Sequence, residues 1–472
     1  MTRTLVTAVA AACAVLALPA VAAGAPNAVV TATPERGPAP LHVSLDGSGS
    51  TVDPGRTIAS WDWDFDDGAT APGATPAVTH DYGSPGRYTA RLTVTDDLGA
   101  TSTATVEVLA QSLTLALTPR TLLFGRTTTA AGTLEPAEGG VTVRIERSSG
   151  GSWHTAATAT TDAAGHYTAS FTPSGGGPVR ARVVSTGTTS GQIRLAVLPR
   201  LVLHRSFGRA FIGARFRVDV RPLTYRGRVV VTTRRDGRVV GRVAARVRDG
   251  VLRVTVPTPG IGRFGVRLRF PAQGAISART LFTIARAGAR MLSVGSRGAD
   301  VRALLRRLAA LHYRVPGISR VFSWPVRDSV IAFQKTVGLS RTGVVGTATW
   351  QALGRAHVPR SRFAGPALHI EIDKTRQVVF VVRDGVVATV LPTSTGATGN
   401  TPEGTWRIYL KTPGYNGLGM YYSMYFKGGF ALHGYASVPT FPASHGCARL
   451  PIWTARSLYE HSVVGERVYV YH

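Results

Sequence analysis

Two short stretches near the C-terminus hold the residue types that acyl chemistry needs. His433-Gly434 is followed, ten residues further on, by Ser444-His445-Gly446-Cys447-Ala448-Arg449. The thiolate is the reactive form of cysteine, and a free thiol with a pKa of about 8.5 needs a nearby base or cation to reach it. His433 and His445 are close in sequence, and Arg449 adds positive charge. Gly446 permits a tight turn with close backbone approach. Such a turn would leave the N–H groups of Gly446 and Cys447 free to face a developing oxyanion.

The cysteine count strengthens this reading. The chain has two, Cys13 and Cys447. Cys13 falls in residues 1–22, where Arg3, the apolar run Leu5–Val21 and Ala20-Val21-Ala22 read as a secretory signal peptide. After its removal Cys447 has no partner, and a lone thiol in an exported protein points to a nucleophile. Two cysteines also exclude a disulfide scaffold and a multi-cysteine zinc site. Val378–Leu391 comes nearest to a further membrane-length apolar run, but Arg383 and Asp384 interrupt it, so no transmembrane segment is expected.

The elements around the motif are strand-rich. Leu368–Ile372, Val378–Val382 and Val386–Val390 read as strands, with Asp384-Gly385 turning the chain. Pro451 can open a helix reaching about Ser462, and Val468–Tyr471 reads as a closing strand. Ser394-Thr395-Gly396, Thr401-Pro402-Glu403-Gly404-Thr405-Trp406, His433-Gly434 and Ser444-His445-Gly446-Cys447-x-Arg449 together make residues 366–472 resemble the L,D-transpeptidase catalytic domain. The resemblance implies that Cys447 is the nucleophile and His433 the general base. It implies that the Gly434 carbonyl orients the His433 ring, that His445 and Arg449 shape the loop, and that Ser444 fixes its turn. Tyr421, Tyr422 and Met424 are expected to line the substrate groove. The implied reaction forms a Cys447 thioester with a peptidoglycan stem tetrapeptide, releases D-Ala, and crosslinks diaminopimelate residues of neighbouring stems; it implies no metal and no cofactor. Water in place of the acceptor amine would give an L,D-carboxypeptidase or another cysteine peptidoglycan hydrolase. A wall-anchoring protein without catalysis is the reading of another class. Papain-like hydrolases place Cys before His, the reverse of this chain, and sortases set the two much farther apart.

Upstream, residues 291–355 change to a helical period. Val301, Leu304, Leu305, Leu308 and Leu311 form one apolar stripe, with Asp300 at its start, favourable to the helix dipole. A second helix is expected near Asp328–Val337, stopped by Gly338, and a third around Thr347–Leu353. Gly295-Ser296-Arg297-Gly298-Ala299-Asp300-Val301, Ala332-Phe333-Gln334 and Gly343–Trp350 make this segment resemble the peptidoglycan-binding type-one domain. It departs from that pattern in one loop, where Ser323-Trp324-Pro325-Val326 stands in place of Gly-Pro-x-Thr.

The remainder alternates with period two, as sandwiches do. Residues 27–110, with Trp61-Asp62-Trp63-Asp64-Phe65-Asp66-Asp67-Gly68, resemble a PKD domain. Residues 112–198 resemble an immunoglobulin-like domain, and 201–288 a diverged, basic one. The expected architecture is therefore multidomain: N-terminal all-β sandwiches, a small three-helix bundle, and a mainly-β catalytic domain. The junction around Arg355–Pro366 reads as a linker.

The 472 residues carry a formal net charge of +28, unevenly placed. Residues 23–110 hold 4 basic and 11 acidic residues, whereas 201–290 hold 20 and 3. Only Lys335, Lys374, Lys411 and Lys427 are lysines, a bias that GC-rich codon usage also produces. An exported, cell-wall-associated, extracytoplasmic protein meets anionic wall polymers, and these are expected partners beside peptidoglycan stem peptides and glycan. No stacked-aromatic pattern accompanies the arginines, which argues against nucleic acid.

Overall fold

The computed structural model describes residues 24–205 and 207–472. The signal-peptide segment, with Cys13, lies outside them. The described residues are mainly β with four helices, and they divide into two compact units, one ending at Leu198 and the other running from Pro199 to His472.

In the first unit, Leu41–Asp46 pairs with Thr31–Thr33 and Ala77–Tyr82 in one small sheet. Val43, Leu45, Trp63, Phe65, Tyr82 and Leu92 fill the core behind it. The 13-residue strand Thr101–Leu113 pairs along Gly86–Asp96 and then, at its end, with Thr128–Glu135. One strand therefore serves two sandwiches, across the junction where the sequence suggested a break. A five-stranded sheet containing Thr142–Ser149 and Gly177–Val183 completes the second sandwich.

The second unit opens with a sandwich of three and five strands. The helices follow: α1 (Ala299–Ala310), α2 (Trp324–Thr336) and α3 (Thr347–Arg355). The apolar stripe of α1 is buried as its spacing requires. α2 begins four residues ahead of expectation because Pro325 occupies its first turn, where a missing N–H costs nothing. α3 runs on to Arg355.

The C-terminal part holds two sheets. One orders Val386–Pro392, Val378–Arg383, Leu368–Asp373, Arg467–Tyr471 and Gly404–Arg407; the other orders Leu410–Tyr415, Tyr421–Lys427, Phe430–Tyr435 and Ala448–Pro451. α4 (Ile452–His461) packs on the second. Val379 and Val381 point into the core between these sheets, with Ile370, Leu432 and Leu450. Val378, Phe380 and Val382 point the other way, into a core shared with Leu304, Leu308, Val330 and Phe333 of the helices. The apolar run Val378–Leu391 is thus a hairpin of two strands, the first of them buried on both faces.

The stretch 355–366 does not behave as a free tether. Ser361 Oγ and the N–H groups of Arg362 and Phe363 donate to the buried Glu371 carboxylate at 2.6, 3.0 and 3.0 Å. The edge strand Val386–Pro392 is covered by the turn after α1, where His312 O accepts from Val390 N and Val390 O from Arg314 N. Lys335 of α2 reaches the sheet, donating to Thr393 O at 2.6 Å and Gln377 O at 3.1 Å. Its amine is 2% exposed as a residue, and burial lowers its pKa to about 7, aided by Arg341. A neutral amine has two N–H groups, one for each carbonyl.

Among the described residues no helix is long and apolar enough to cross a membrane.

Candidate active site

Phe430–Tyr435 and Ala448–Pro451 are parallel neighbours, with Leu432 opposite Ala448 and His433 opposite Arg449. This register brings the two halves of the motif together. His433 is buried, and its Nδ1 lies 2.9 Å from the Gly434 carbonyl. A carbonyl can only accept, so Nδ1 carries the proton and Nε2 presents a lone pair. Burial lowers the His433 pKa, and Arg449 lowers it further against the opposing pull of the Gly434 bond. The His433 imidazole is therefore neutral at ordinary pH.

Cys447 is a free, half-buried cysteine. Burial raises its pKa, partly offset by the Ala431 backbone and by Arg449. Its Sγ is directed at the Gly429 carbonyl, 3.7 Å away, and no Cys447–His433 hydrogen bond forms among the described residues. Ligand-free sites commonly hold such pairs loosely until substrate arrives. Cys447, His433, His445, Ser444 and Arg449 share one pocket of about 630 Å³ with Leu418, Met420, Phe430 and Tyr435. The Arg449 guanidinium lies 4.2 Å over the Tyr435 ring.

The turn holding Cys447 is locked from within and from outside. Ser444 Oγ donates to Cys447 O at 2.6 Å and accepts from Gly446 N at 3.0 Å. The Gly446 amide is thus occupied, and the expectation that it stays free for an oxyanion is corrected: the serine that fixes the turn takes it. Gly446 has φ 128°, and a Cβ there would meet the Phe430 ring at 2.3 Å, so only glycine fits. From outside, Thr401 Oγ1 donates to Gly446 O at 2.7 Å and accepts from Gly396 N at 2.9 Å. Asn400 Nδ2 donates to His445 O at 3.0 Å. Gln377 grips Thr395, with Nε2 donating to Oγ1 at 2.6 Å and Oε1 accepting from N at 2.8 Å. The Ser394-Thr395-Gly396 and Thr401-Pro402 motifs are therefore buttresses of the cysteine turn. Sequence reasoning carried those motifs without a role for Thr401, and nothing in the sequence marked Asn400 or Gln377.

The expected groove residues need correction too. Met424 is fully buried in the catalytic core opposite Leu432. Tyr421 meets Tyr422 edge to face and Tyr415 at a tilt, Tyr422 meets Tyr459 edge to face, and neither tyrosine nor Met424 lines the Cys447 pocket. The pairing register shifts between Tyr421 and Met424, with Tyr422 at φ 50°, and this bulge turns the segment away. Leu418 and Met420, just upstream, take the place expected for them.

Residues 367–470 match the L,D-transpeptidase catalytic domain family. A solved L,D-transpeptidase fragment (residues 123–326) from Xylanimonas cellulosilytica is 33% identical, and the match covers 39% of this chain and 98% of that one, with a TM-score of 0.38. The chain belongs to the L,D-transpeptidases through this domain. The chain is composite. Residues 297–353 match a putative peptidoglycan binding domain, and residues 23–110 match the PKD domain. The PKD1 domain of the Vibrio cholerae metalloprotease PrtV is 34% identical over 18% of this chain and 96% of that one, with a TM-score of 0.16. A microbial collagenase from Vibrio alginolyticus is 44% identical over 90 residues, 19% of the transpeptidase chain; these span only 11% of the collagenase.

Proposed function

We propose that the C-terminal domain performs a two-step acyl transfer through Cys447. The observation that supports this reading most is the shared pocket of a lone thiol and a neutral histidine whose tautomer leaves Nε2 basic. His433 Nε2 takes the thiol proton as Sγ attacks the carbonyl carbon at the diaminopimelate–D-Ala bond of a stem tetrapeptide. The tetrahedral oxyanion collapses, the C–N bond breaks, and the departing D-Ala amine receives the proton from His433. The thioester is then attacked by the side-chain amine of a second stem. His433 accepts the proton that this amine sheds and returns it to the leaving sulfur. Positioning and a prearranged donor, for which the Cys447 amide remains the candidate, carry the rate. Water as the second nucleophile gives a carboxypeptidase by the same route. His445, Arg449 and Ser444 hold the loop, and Gly434 orients the base.

The upstream modules are proposed to hold the domain on the wall. The 208–288 five-stranded sheet carries no Asp or Glu on its strands, and Arg228 faces Arg246 and Arg263 faces Arg286 directly across neighbouring strands. Like charges so placed destabilise a sheet, and an anionic wall polymer would relieve them. The protein is proposed to be exported and wall-associated.

Incubating the protein with disaccharide tetrapeptides and reading products by mass tests the catalytic reading. Loss of D-Ala with crosslinked dimers is the expected result, monomeric tripeptide marks the hydrolase, and unchanged turnover in Cys447→Ala removes the nucleophile assignment. No product from the wild type leaves the anchoring reading.

A further inference from the structure

A second hollow of about 630 Å³ lies beside the cysteine pocket and shares Tyr435 with it. One wall is the first turn of α2, with Trp324, Pro325 and Asp328; the other is the loop after Tyr435, with Ser437, and Trp453 at the start of α4. The two walls are tied together, since Trp453 Nε1 donates to Asp328 Oδ2 at 3.0 Å. The Arg327 guanidinium stands 5.5 Å over the Trp324 ring, yet Trp324 remains 65% exposed. The size is that of a small-ligand site, about 300–1,000 Å³. Trp324 is also the residue at which the α2 loop departs from the Gly-Pro-x-Thr pattern.

We propose that this trough is a saccharide subsite, taking sugar rings of the glycan strand from which the stem peptide in the Cys447 pocket hangs. The inference rests on the acyl-transfer reading of that pocket and adds the substrate's second half. A pyranose has apolar C–H faces and a rim of hydroxyl and acetamido groups. Planar rings such as the exposed Trp324 and the half-buried Trp453 suit the faces, because large rigid aromatics give contact area at little entropic cost and keep a polar edge. Asp328 and Ser437 offer acceptors and a donor for the rim. An acyl chain would need an unbroken apolar lining, which Arg327, Asp328 and Ser437 interrupt. A phosphate would meet the Asp328 carboxylate beside the single cation Arg327. Because the walls come from the helical module and the catalytic domain, the glycan would be read only where the peptide can also reach Cys447.

The test uses the full chain, Trp324→Ala, and Trp324→Phe as the conservative variant. Peptide-stripped glycan strands are titrated calorimetrically; the expected loss in affinity is about fivefold to tenfold in the alanine variant, with recovery in the phenylalanine one. In parallel, kcat/KM is compared for a glycan-linked and a sugar-free tetrapeptide. The preference for the linked substrate falls by a similar factor if the subsite is real. No glycan binding by the wild type, or equal binding by Trp324→Ala, overturns the subsite. Wild-type binding of stripped glycan without turnover of either peptide instead sinks the acyl-transfer reading and leaves the subsite standing.

Discussion

At the residue scale the pocket makes a statement about protons. His433 titrates below the ordinary imidazole value of 6.5 because it is buried, and it must be neutral to act. The acid limb of kcat/KM therefore falls below pH 6.5, and activity is lost only as pH drops through that lowered value. Burial lifts the Cys447 pKa above the ordinary thiol value, so its alkylation by iodoacetamide stays slow at neutral pH and accelerates only above that value. Measured limbs on the opposite sides of these values would contradict the burial argument. His433→Ala lowers kcat by about 10²–10⁴-fold, the usual cost of a lost general base. Thr401→Val strips the Gly446 carbonyl and the Gly396 amide of their shared partner. It lowers stability by about 1–3 kcal/mol, read by chemical denaturation. That Cys447 and His433 share one pocket was legible because His-Gly and Ser-His-Gly-Cys pack scarce residue types into few positions. The groove was not, since a one-residue bulge at Tyr422 decides which way the tyrosines and Met424 face, and no local pattern announces it.

At the element scale the joint between helices and sheet carries the argument. Lys335 holds fewer protons in the folded chain than in the unfolded one between about pH 7 and its ordinary 10.5. The unfolded state binds the extra proton there, so stability rises with pH across that window. Thermal melts of the full chain at pH 7 and pH 9 show this rise, and Lys335→Met flattens it; a rise that survives the substitution assigns it elsewhere. Helices α1 to α3 were readable from their 3.6 period, and the strands of the catalytic domain from their β-branched runs. What the sequence left open was the second face of Val378–Arg383. A strand buried on both sides has no alternation to show which neighbour each residue meets. For the same reason Arg355–Pro366 looked like a linker: its Arg, Pro and Gly content says nothing of the Glu371 carboxylate that fastens it. Deleting residues 291–355 would bare Val378, Phe380 and Val382, so the expected outcome is an aggregating or unfolded product rather than an active enzyme with weaker wall binding.

At the scale of the whole molecule charge is graded, from an acidic N-terminal segment to the arginine-rich sandwich of residues 201–290. Binding to purified sacculi should weaken steeply with salt, since screening acts within about 10 Å at 0.1 M. Replacing Arg228, Arg246, Arg263 and Arg286 by Gln removes two like-charge cross-strand pairs. The melting temperature should hold or rise while retention on sacculi falls; retention without change would return the arginines to codon usage. The doubly buried strand has a further consequence, one of inheritance. A recombination that cut within residues 355–366 would deliver a catalytic domain with a raw apolar flank, and its carrier would lose the enzyme. The helical module and the C-terminal domain should therefore descend together as one heritable block.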